Sequence, residues 1–279
     1  MRPTFGSRLE AAMNAHGPLC AGIDPHRGLL QAWDLPYDVR GLELFTMTCV
    51  EAFSGRVAAV KPQSAFFEVF GSRGIAVLER ALTELAAAHT LTILDVKRGD
   101  IGTTMAAYAD AFLGAAAPAP VDAITVSPYL GYESLRPALD VAHANARGVF
   151  VLALTSNPEG ASVQHAVRDG LSVAASVVEG ATVDNALARE HGVLGSVGLV
   201  IGATVGSAVS DLGLDLVTAA TPILAPGLGA QGGSVDDLGR VFGPARRQVL
   251  ASSSREILGA GPGATRLADQ ALRVAESLR

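Results

Sequence analysis

The chain has 279 residues, of which 49% are hydrophobic and 17% charged, and its formal net charge is −6. A chain of this length can form the core of one barrel or of two smaller domains. The negative net charge and the lack of a long Lys/Arg run argue against nucleic-acid binding but leave small anionic ligands possible. The two cysteines are too few for a secreted disulfide framework and lack metal-ligand spacing, so we expect the protein to lie in the reducing cytoplasm. The sequence has no uninterrupted apolar run of the length that a membrane span requires, so no membrane segment is expected.

Eight short apolar runs recur along the chain, and each is typical of a buried β-strand. They cover residues 18–24, 57–63, 91–97, 123–127, 148–156, 198–204, 222–226 and 248–254. Helical spacings lie between them, such as the one formed by Leu42, Phe45, Cys49 and Phe53. Eight alternating strand and helix units in about 250 residues predict a (β/α)₈ barrel instead of an open sheet. We expect one domain over residues 1–279, with an enlarged crossover at about 157–197.

The third run leads into a group of charges within the sequence Leu91-Thr-Ile-Leu-Asp-Val-Lys-Arg-Gly-Asp-Ile-Gly-Thr-Thr104. Because strand side chains alternate between faces, Asp95 and Lys97 point into the same cavity. Two glycines then break the strand pattern and place Asp100 in a loop, after which Thr103 or Thr104 is expected to cap a helix. A surface ion pair contributes only about 0 to 1 kcal/mol and needs no buried run beside it, so this array indicates catalysis.

In a barrel of this kind the carboxyl ends of the strands form the active-site face, so the side chains there converge. The convergent set is Asp24, Lys61, Asp95, Lys97, Ser127, Ser156, Thr204, Gln231 and Arg255. Lys61 ends an otherwise apolar strand, where a buried ammonium needs a counter-charge, and Asp95 on the neighbouring strand is the expected partner. The alternative is a lysine whose stem packs while its ammonium reaches solvent.

A glycine-rich loop follows the seventh run and contains the pattern Gly-x-Gly-x-x-Gly at Gly227, Gly229 and Gly232. A dinucleotide fingerprint would follow the first strand and would be joined by an acidic residue at the end of the next one, whereas here the next run ends in serines. Barrels frequently bind phosphate between the loops after strands seven and eight, so this loop and Arg255 predict a phosphate site. A flexible turn beside a solvent-facing arginine is the alternative.

Five segments, in this order, resemble motifs of the orotidine 5′-monophosphate decarboxylase family in its longer bacterial (type 2) form. They are Gly22-Ile-Asp-Pro-His26, Val60-Lys-Pro-Gln-Ser-Ala-Phe-Phe-Glu68, Asp95-Val-Lys-Arg-Gly-Asp-Ile-Gly102, Thr155-Ser-Asn-Pro-Glu-Gly160 and Pro226-Gly-Leu-Gly-Ala-Gln-Gly-Gly233. The resemblance extends from Pro18 to Arg255, and the combination of Lys61 with the Asp-x-Lys-x-x-Asp element is its most specific feature. Ser254 departs from the family, because many members have glycine before the arginine.

The resemblance implies decarboxylation of orotidine 5′-monophosphate to UMP in de novo pyrimidine biosynthesis, without a cofactor or a metal. The substrate carboxylate would lie against Asp95, and Lys97 would stabilise and protonate the carbanion left by loss of carbon dioxide, with Lys61 and Asp100 completing the array of fixed charges. The family likeness further implies that Asp24 and Lys61 contact the ribose and that Ser156 contacts the pyrimidine. It assigns the phosphate to Gln231 and Arg255.

The resemblance also implies a homodimer in which Asp100 and Thr104 reach the neighbouring subunit's site. Two other functions stay open. One is a magnesium-dependent phosphosugar decarboxylase or aldolase of a related barrel, in which Asp95 would bind the metal with an acid from the second strand. Lys61 at that strand end argues against it. The other is a non-catalytic phosphate-ligand sensor, against which the intact Asp95, Lys97 and Asp100 argue.

Overall fold

Eight parallel strands form a closed barrel in the computed structural model, which describes residues 2–119, 121–229 and 232–279. The strands of the chain are β1 (Leu19–Ile23), β2 (Ala59–Pro62), β3 (Leu91–Arg98), β4 (Ala123–Val126), β5 (Gly148–Leu154), β6 (Val167–Arg168), β7 (Leu171–Ser172), β8 (Val197–Ile201), β9 (Ile223–Pro226) and β10 (Val249–Ser253). Around the barrel the order is β1-β10-β9-β8-β5-β4-β3-β2, while β6 and β7 form a separate antiparallel hairpin. The predicted (β/α)₈ barrel is confirmed, and each of the eight predicted runs overlaps one barrel strand.

Helices join the strands and cover the outside of the barrel. They are α1 (Phe5–His16), α2 (Arg27–Ala32), α3 (Val39–Phe53), α4 (Ala65–Glu68), α5 (Gly71–Ala87), α6 (Gly102–Leu113), α7 (Arg136–Ala144), α8 (Ala161–Gln164), α9 (Val173–Asp184), α10 (Ala186–Glu190), α11 (Ala208–Asp211), α12 (Val235–Phe242), α13 (Arg255–Leu258) and α14 (Ala264–Ser277). Short 3₁₀ helices lie at Tyr132–Leu135, Pro158–Gly160 and Gly243–Gln248. None of the helices in the described ranges is long and apolar enough to cross a membrane.

Alternation along the strands divides the core into two parts. Outward side chains such as Leu94 and Val96 on β3 pack against the surrounding helices, and the apolar spacing predicted for α3 lies on its buried face. Inward side chains such as Ile93 belong to a second cluster inside the barrel. The inward face of β3 is therefore apolar at Leu91 and Ile93 and carries charges from Asp95 onward.

Helix α1 closes the amino-terminal end of the barrel. Thr4 caps this helix by accepting a hydrogen bond from the backbone N–H of Ser7. Phe5 and Leu9 are fully buried, and the Phe5 ring meets Phe150 of β5 edge to face, with ring centroids 5.9 Å apart. Because apolar side chains fill this end, polar groups pointing inward gather at the opposite, carboxyl-terminal end.

Two local features differ from the sequence-based expectation. The enlarged crossover contains the predicted helical segment, α9, but also the hairpin of β6 and β7, which was not predicted. The expectation that Thr103 or Thr104 caps the helix after β3 is wrong. Gly102 turns the chain with a φ of 53°, so α6 already begins there, and both threonines lie exposed within its first turn.

Candidate active site

A cavity of about 250 Å³ opens at the carboxyl ends of the barrel strands, opposite α1. Strand-end positions of β1, β2, β3, β4, β8, β9 and β10 contribute to its wall. Its lining residues are Asp24, Lys61, Gln63, Asp95, Lys97, Thr125, Val200, Leu224, Pro226, Gly227, Leu228, Ser252, Ser254 and Arg255. Five of the predicted site residues therefore meet in one place: Asp24, Lys61, Asp95, Lys97 and Arg255.

The carboxylate of Asp95 is the centre of this site, because four side chains donate hydrogen bonds to it. Lys61 Nζ and Gln63 Nε2 lie 2.9 and 3.0 Å from Oδ2. Lys97 Nζ and the hydroxyl of Thr125 lie 2.5 and 2.8 Å from Oδ1. A carboxylate has about four acceptor positions, so these donors fill them and fix its orientation.

Neighbouring strands bring these groups together. Lys61 on β2 and Gln63 directly after this strand point to the same inward face, and the backbone of Gln63 pairs with that of Asp95 on β3. Lys61 and Asp95 are both only 6% exposed, and their ion pair confirms the predicted partnership and excludes the solvent-reaching lysine.

Electrostatic attraction keeps this buried pair charged. Burial by itself favours the neutral form of Lys61, but the negative charges of Asp24 and Asp95 outweigh it and raise the pKa of the ammonium above its usual value. Burial likewise works against ionisation of Asp95, yet the positive charges of Lys61 and Lys97 hold the pKa of its carboxyl well below its ordinary value. The site therefore contains a fixed alternation of positive and negative charge.

Lys97 lies where the pairing of β3 with β4 becomes irregular. The register shifts between Leu94 and Arg98, and the φ of Lys97 is 45°, in the left-handed region that lysine rarely adopts. The backbone N–H of Lys97 donates to the hydroxyl of Thr125 over 3.0 Å. The side chain is 45% exposed, so the ammonium reaches the open cavity while still paired with Asp95.

The residues directly after β1 and β10 contribute polar side chains to the cavity wall. Asp24 Oδ1 and the hydroxyl oxygen of Ser254 are both buried, and neither has a hydrogen-bond partner within the described ranges. Gly22 makes this arrangement possible, because a Cβ at that position would lie 2.7 Å from the Cβ of Ser254. The serine that departs from the family pattern therefore occupies space that the facing glycine leaves free.

The glycine-rich loop borders the same cavity beside Arg255. Gly227 has a φ of 106° and Gly229 a φ of 70°, both of which favour glycine. A Cβ at Gly229 would also lie 2.2 Å from a carboxylate oxygen of Glu256. The exposed Arg255 begins the helix after β10 and lines the cavity. Gln231, predicted to bind phosphate, lies outside the described residues.

Five predicted residues are not part of this cavity wall, and two of them, Ser127 and Thr204, belong to the convergent strand-end set. Ser156 lies exposed in the loop after β5, and Asp100 and Thr104 lie at and after the turn that leads into α6. Asp100 accepts a hydrogen bond from the backbone N–H of Ile101.

Three polar residues of the site were missed by the sequence analysis, namely Gln63, Thr125 and Ser252. Gln63 stands two positions after Lys61 and Thr125 two positions before Ser127, so strand alternation alone could have placed both on the inward face. Among the described residues, no three His, Cys, Asp or Glu side chains group together as metal ligands.

Fold and site together define a (β/α)₈-barrel enzyme with alternating charges at the carboxyl ends of its strands and a glycine-rich loop beside Arg255. The model of the orotidine 5′-phosphate decarboxylase / HUMPS family matches residues 17–269. The chain belongs to this family. The family resemblance inferred from the five motifs is thereby confirmed.

Individual relatives agree along almost the whole chain. Orotidine 5′-phosphate decarboxylases of Streptomyces coelicolor and Salinispora tropica are each 55% identical over 277 residues, covering 99% of this chain and 97% of the relative. The crystal structure of a candidate orotidine 5′-phosphate decarboxylase from Streptomyces avermitilis has a TM-score of 0.94 and 54% identity, covering 100% of this chain and 95% of that one. The Leishmania donovani OMP decarboxylase has a TM-score of 0.73 at 26% identity, with coverage of 99% and 98%.

Proposed function

We propose that this chain decarboxylates orotidine 5′-monophosphate to UMP in pyrimidine biosynthesis, without a cofactor, as one barrel domain with an enlarged crossover at about 157–197. The observation that carries the proposal is the buried Lys61–Asp95 ion pair at the open end of the barrel, with the half-exposed ammonium of Lys97 bound to the same carboxylate. Relatives that are 55% identical along the chain carry the name of this activity. The buried, unpaired thiols of Cys20 and Cys49 agree with a cytoplasmic location.

In the proposed reaction the C6 carboxylate of the substrate lies against Asp95. Breaking the carbon–carbon bond releases carbon dioxide and leaves the electron pair on C6, next to the ammonium of Lys97. That ammonium stabilises the carbanion and then gives it a proton, which yields UMP. Because hydrogen bonds already fix Asp95, the charges need little reorganisation as the transition state forms.

Contacts remote from C6 hold the substrate in place. Asp24 has an unpartnered oxygen in the cavity wall and is proposed to accept a hydrogen bond from a ribose hydroxyl. Lys61 beside it is proposed to contact the ribose as well. Ser156 is proposed to contact the pyrimidine amide edge. Arg255 and Gln231 are proposed to bind the phosphate. Binding energy from the phosphate then serves to orient the carboxylate and C6 at the charge array.

The active enzyme is proposed to be a homodimer in which Asp100 and Thr104 complete the partner's site. Both residues lie next to the cavity loops but outside its wall, and Ile101 between them is a large apolar side chain left 62% exposed. Mixing inactive Lys97→Ala and Asp100→Ala variants tests this arrangement. Random pairing creates dimers with one intact site and is expected to restore about one quarter of the native activity. A mixture as inactive as its components would refute shared sites.

Ultraviolet absorbance of orotidine 5′-monophosphate tests the reaction itself. We expect the wild-type protein to bleach the substrate absorbance equally with and without EDTA, and Lys97→Ala to leave it unchanged. Activity abolished by EDTA would favour the magnesium-dependent phosphosugar enzyme, although Lys61 occupies the place where that chemistry needs an acid. No bleaching by the wild-type protein would favour the phosphate-ligand sensor.

A further inference from the structure

We infer that Thr125 is a positioning residue that holds the backbone of Lys97 and the carboxylate of Asp95 in the geometry needed for proton transfer. The inference rests on the proposed decarboxylation and names a residue of that site which the family motifs do not include. Thr125 lies on β4, points into the barrel and is only 1% exposed.

The hydroxyl of Thr125 connects the two charged residues directly. It accepts a hydrogen bond from the backbone N–H of Lys97 over 3.0 Å and donates its own hydrogen to Asp95 Oδ1 over 2.8 Å. A hydroxyl has one hydrogen and two lone pairs, so it can make both bonds at once. The directions are fixed, because an N–H can only donate and an ionised carboxylate can only accept.

The backbone of Lys97 needs such a support. Its φ of 45° is unfavourable for a residue with a side chain, and the register shift between β3 and β4 interrupts the ordinary strand pairing at this point. Strained conformations of this kind persist where the surrounding structure holds them. The bond from Lys97 N–H to the hydroxyl supplies a direct tether from β4, and the same hydroxyl aligns the carboxylate that the Lys97 ammonium contacts.

Removal of this hydroxyl leaves every charge of the array in place. Asp95 keeps Lys61, Gln63 and Lys97 as donors, and the residues proposed to bind ribose and phosphate are untouched. What changes is the orientation of Lys97 relative to Asp95. A loss of orientation at the reacting groups lowers kcat, whereas KM depends mainly on the remote contacts.

The test compares Thr125→Val, which keeps the shape and removes the hydroxyl, with Thr125→Ser, which keeps the hydroxyl. We expect Thr125→Val to lower kcat by about 10- to 100-fold, with KM changed by less than about threefold, and Thr125→Ser to retain kcat within about threefold. Thr92→Val is the matched control. This buried threonine on β3 accepts a hydrogen bond from the Asp122 N–H away from the cavity, so its loss should leave kcat unchanged.

Backbone amide exchange of Lys97 gives a second readout that needs no substrate. We expect faster exchange at Lys97 in Thr125→Val than in the wild type or Thr125→Ser. If valine crowds the site and prevents folding, Thr125→Ala provides the other hydroxyl-free variant.

Equal kcat values in wild type and Thr125→Val, equal losses in Thr125→Val and Thr125→Ser, or unchanged Lys97 exchange would overturn the positioning role. A wild-type protein that fails to decarboxylate the substrate would instead refute the proposed function, and the exchange measurement alone would then decide whether Thr125 holds the Lys97 backbone.

Discussion

Replacement of Lys61 by methionine tests whether the buried ion pair holds the site together. The ammonium is 2.9 Å from Asp95 Oδ2, and both residues are 6% exposed. Methionine has a similar length without a charge, so Asp95 would lose one of its two cations while remaining buried. Removing one member of a buried pair costs about 3–5 kcal/mol of unfolding free energy. For a chain of this size, that corresponds to an unfolding temperature lower by about 6 to 20 °C.

Calorimetric unfolding of the free protein, without substrate, measures this effect. Arg80→Met is the matched control, because Arg80 also loses ion pairs, to Glu43 and Glu84, but its side chain is 54% exposed. Solvent-exposed pairs contribute little, so this variant should unfold almost as the wild type does. Equal unfolding temperatures for Lys61→Met and Arg80→Met would show that the burial of the pair has no energetic consequence, and the reasoning would fail.

Three further predictions follow from the same geometry. Gln63→Met removes a neutral hydrogen-bond donor from Asp95 Oδ2, and in the absorbance assay it should lower kcat more than it raises KM. An effect on KM alone would instead assign Gln63 to substrate binding. The attraction of Lys61 and Lys97 lowers the pKa of Asp95 in the folded state, although burial opposes this shift. The ionised carboxylate therefore stabilises the fold at pH values above 3.8, the pKa of Asp95 in the unfolded chain, and this stabilisation is lost as the pH falls below that value. Urea unfolding at pH values on either side of about 4 should show this loss, and Asp95→Asn should show less of it. Arg255→Met should raise KM for the phosphorylated substrate by about 10- to 100-fold and leave turnover of the phosphate-free nucleoside unchanged; equal losses for both would exclude a phosphate role.

Most of the barrel could be predicted because buried parallel strands give continuous apolar runs bounded by turns. Helix α1 was missed although Phe5, Leu9 and Met13 recur at four-residue intervals, a helical spacing that would have indicated it. The hairpin of β6 and β7 had no comparable signal, since strands of two residues are too short to show alternation.

The core of the site could also be predicted, because Lys61 and Asp95 end neighbouring strands that the barrel places side by side. The backbone of Lys97 could not. Lysine gives no sequence signal for a positive φ, and the register shift that produces it depends on how β3 meets β4. The contact of Thr125 with two residues of another strand likewise depends on that register.

Charge balance at the site explains how four ionised groups can share one barrel end and still leave a cation available for chemistry. Asp24 and Asp95 offset Lys61 and Lys97, so these four groups carry no formal net charge among themselves. Lys61 is buried and attracted by both carboxylates, which makes it a fixed charge. Lys97 is about half exposed, and its one ion pair among the described residues is with Asp95. In the proposed reaction a substrate carboxylate would add a second negative charge beside Asp95, and Lys97 would be the cation placed to stabilise that charge as it moves to C6.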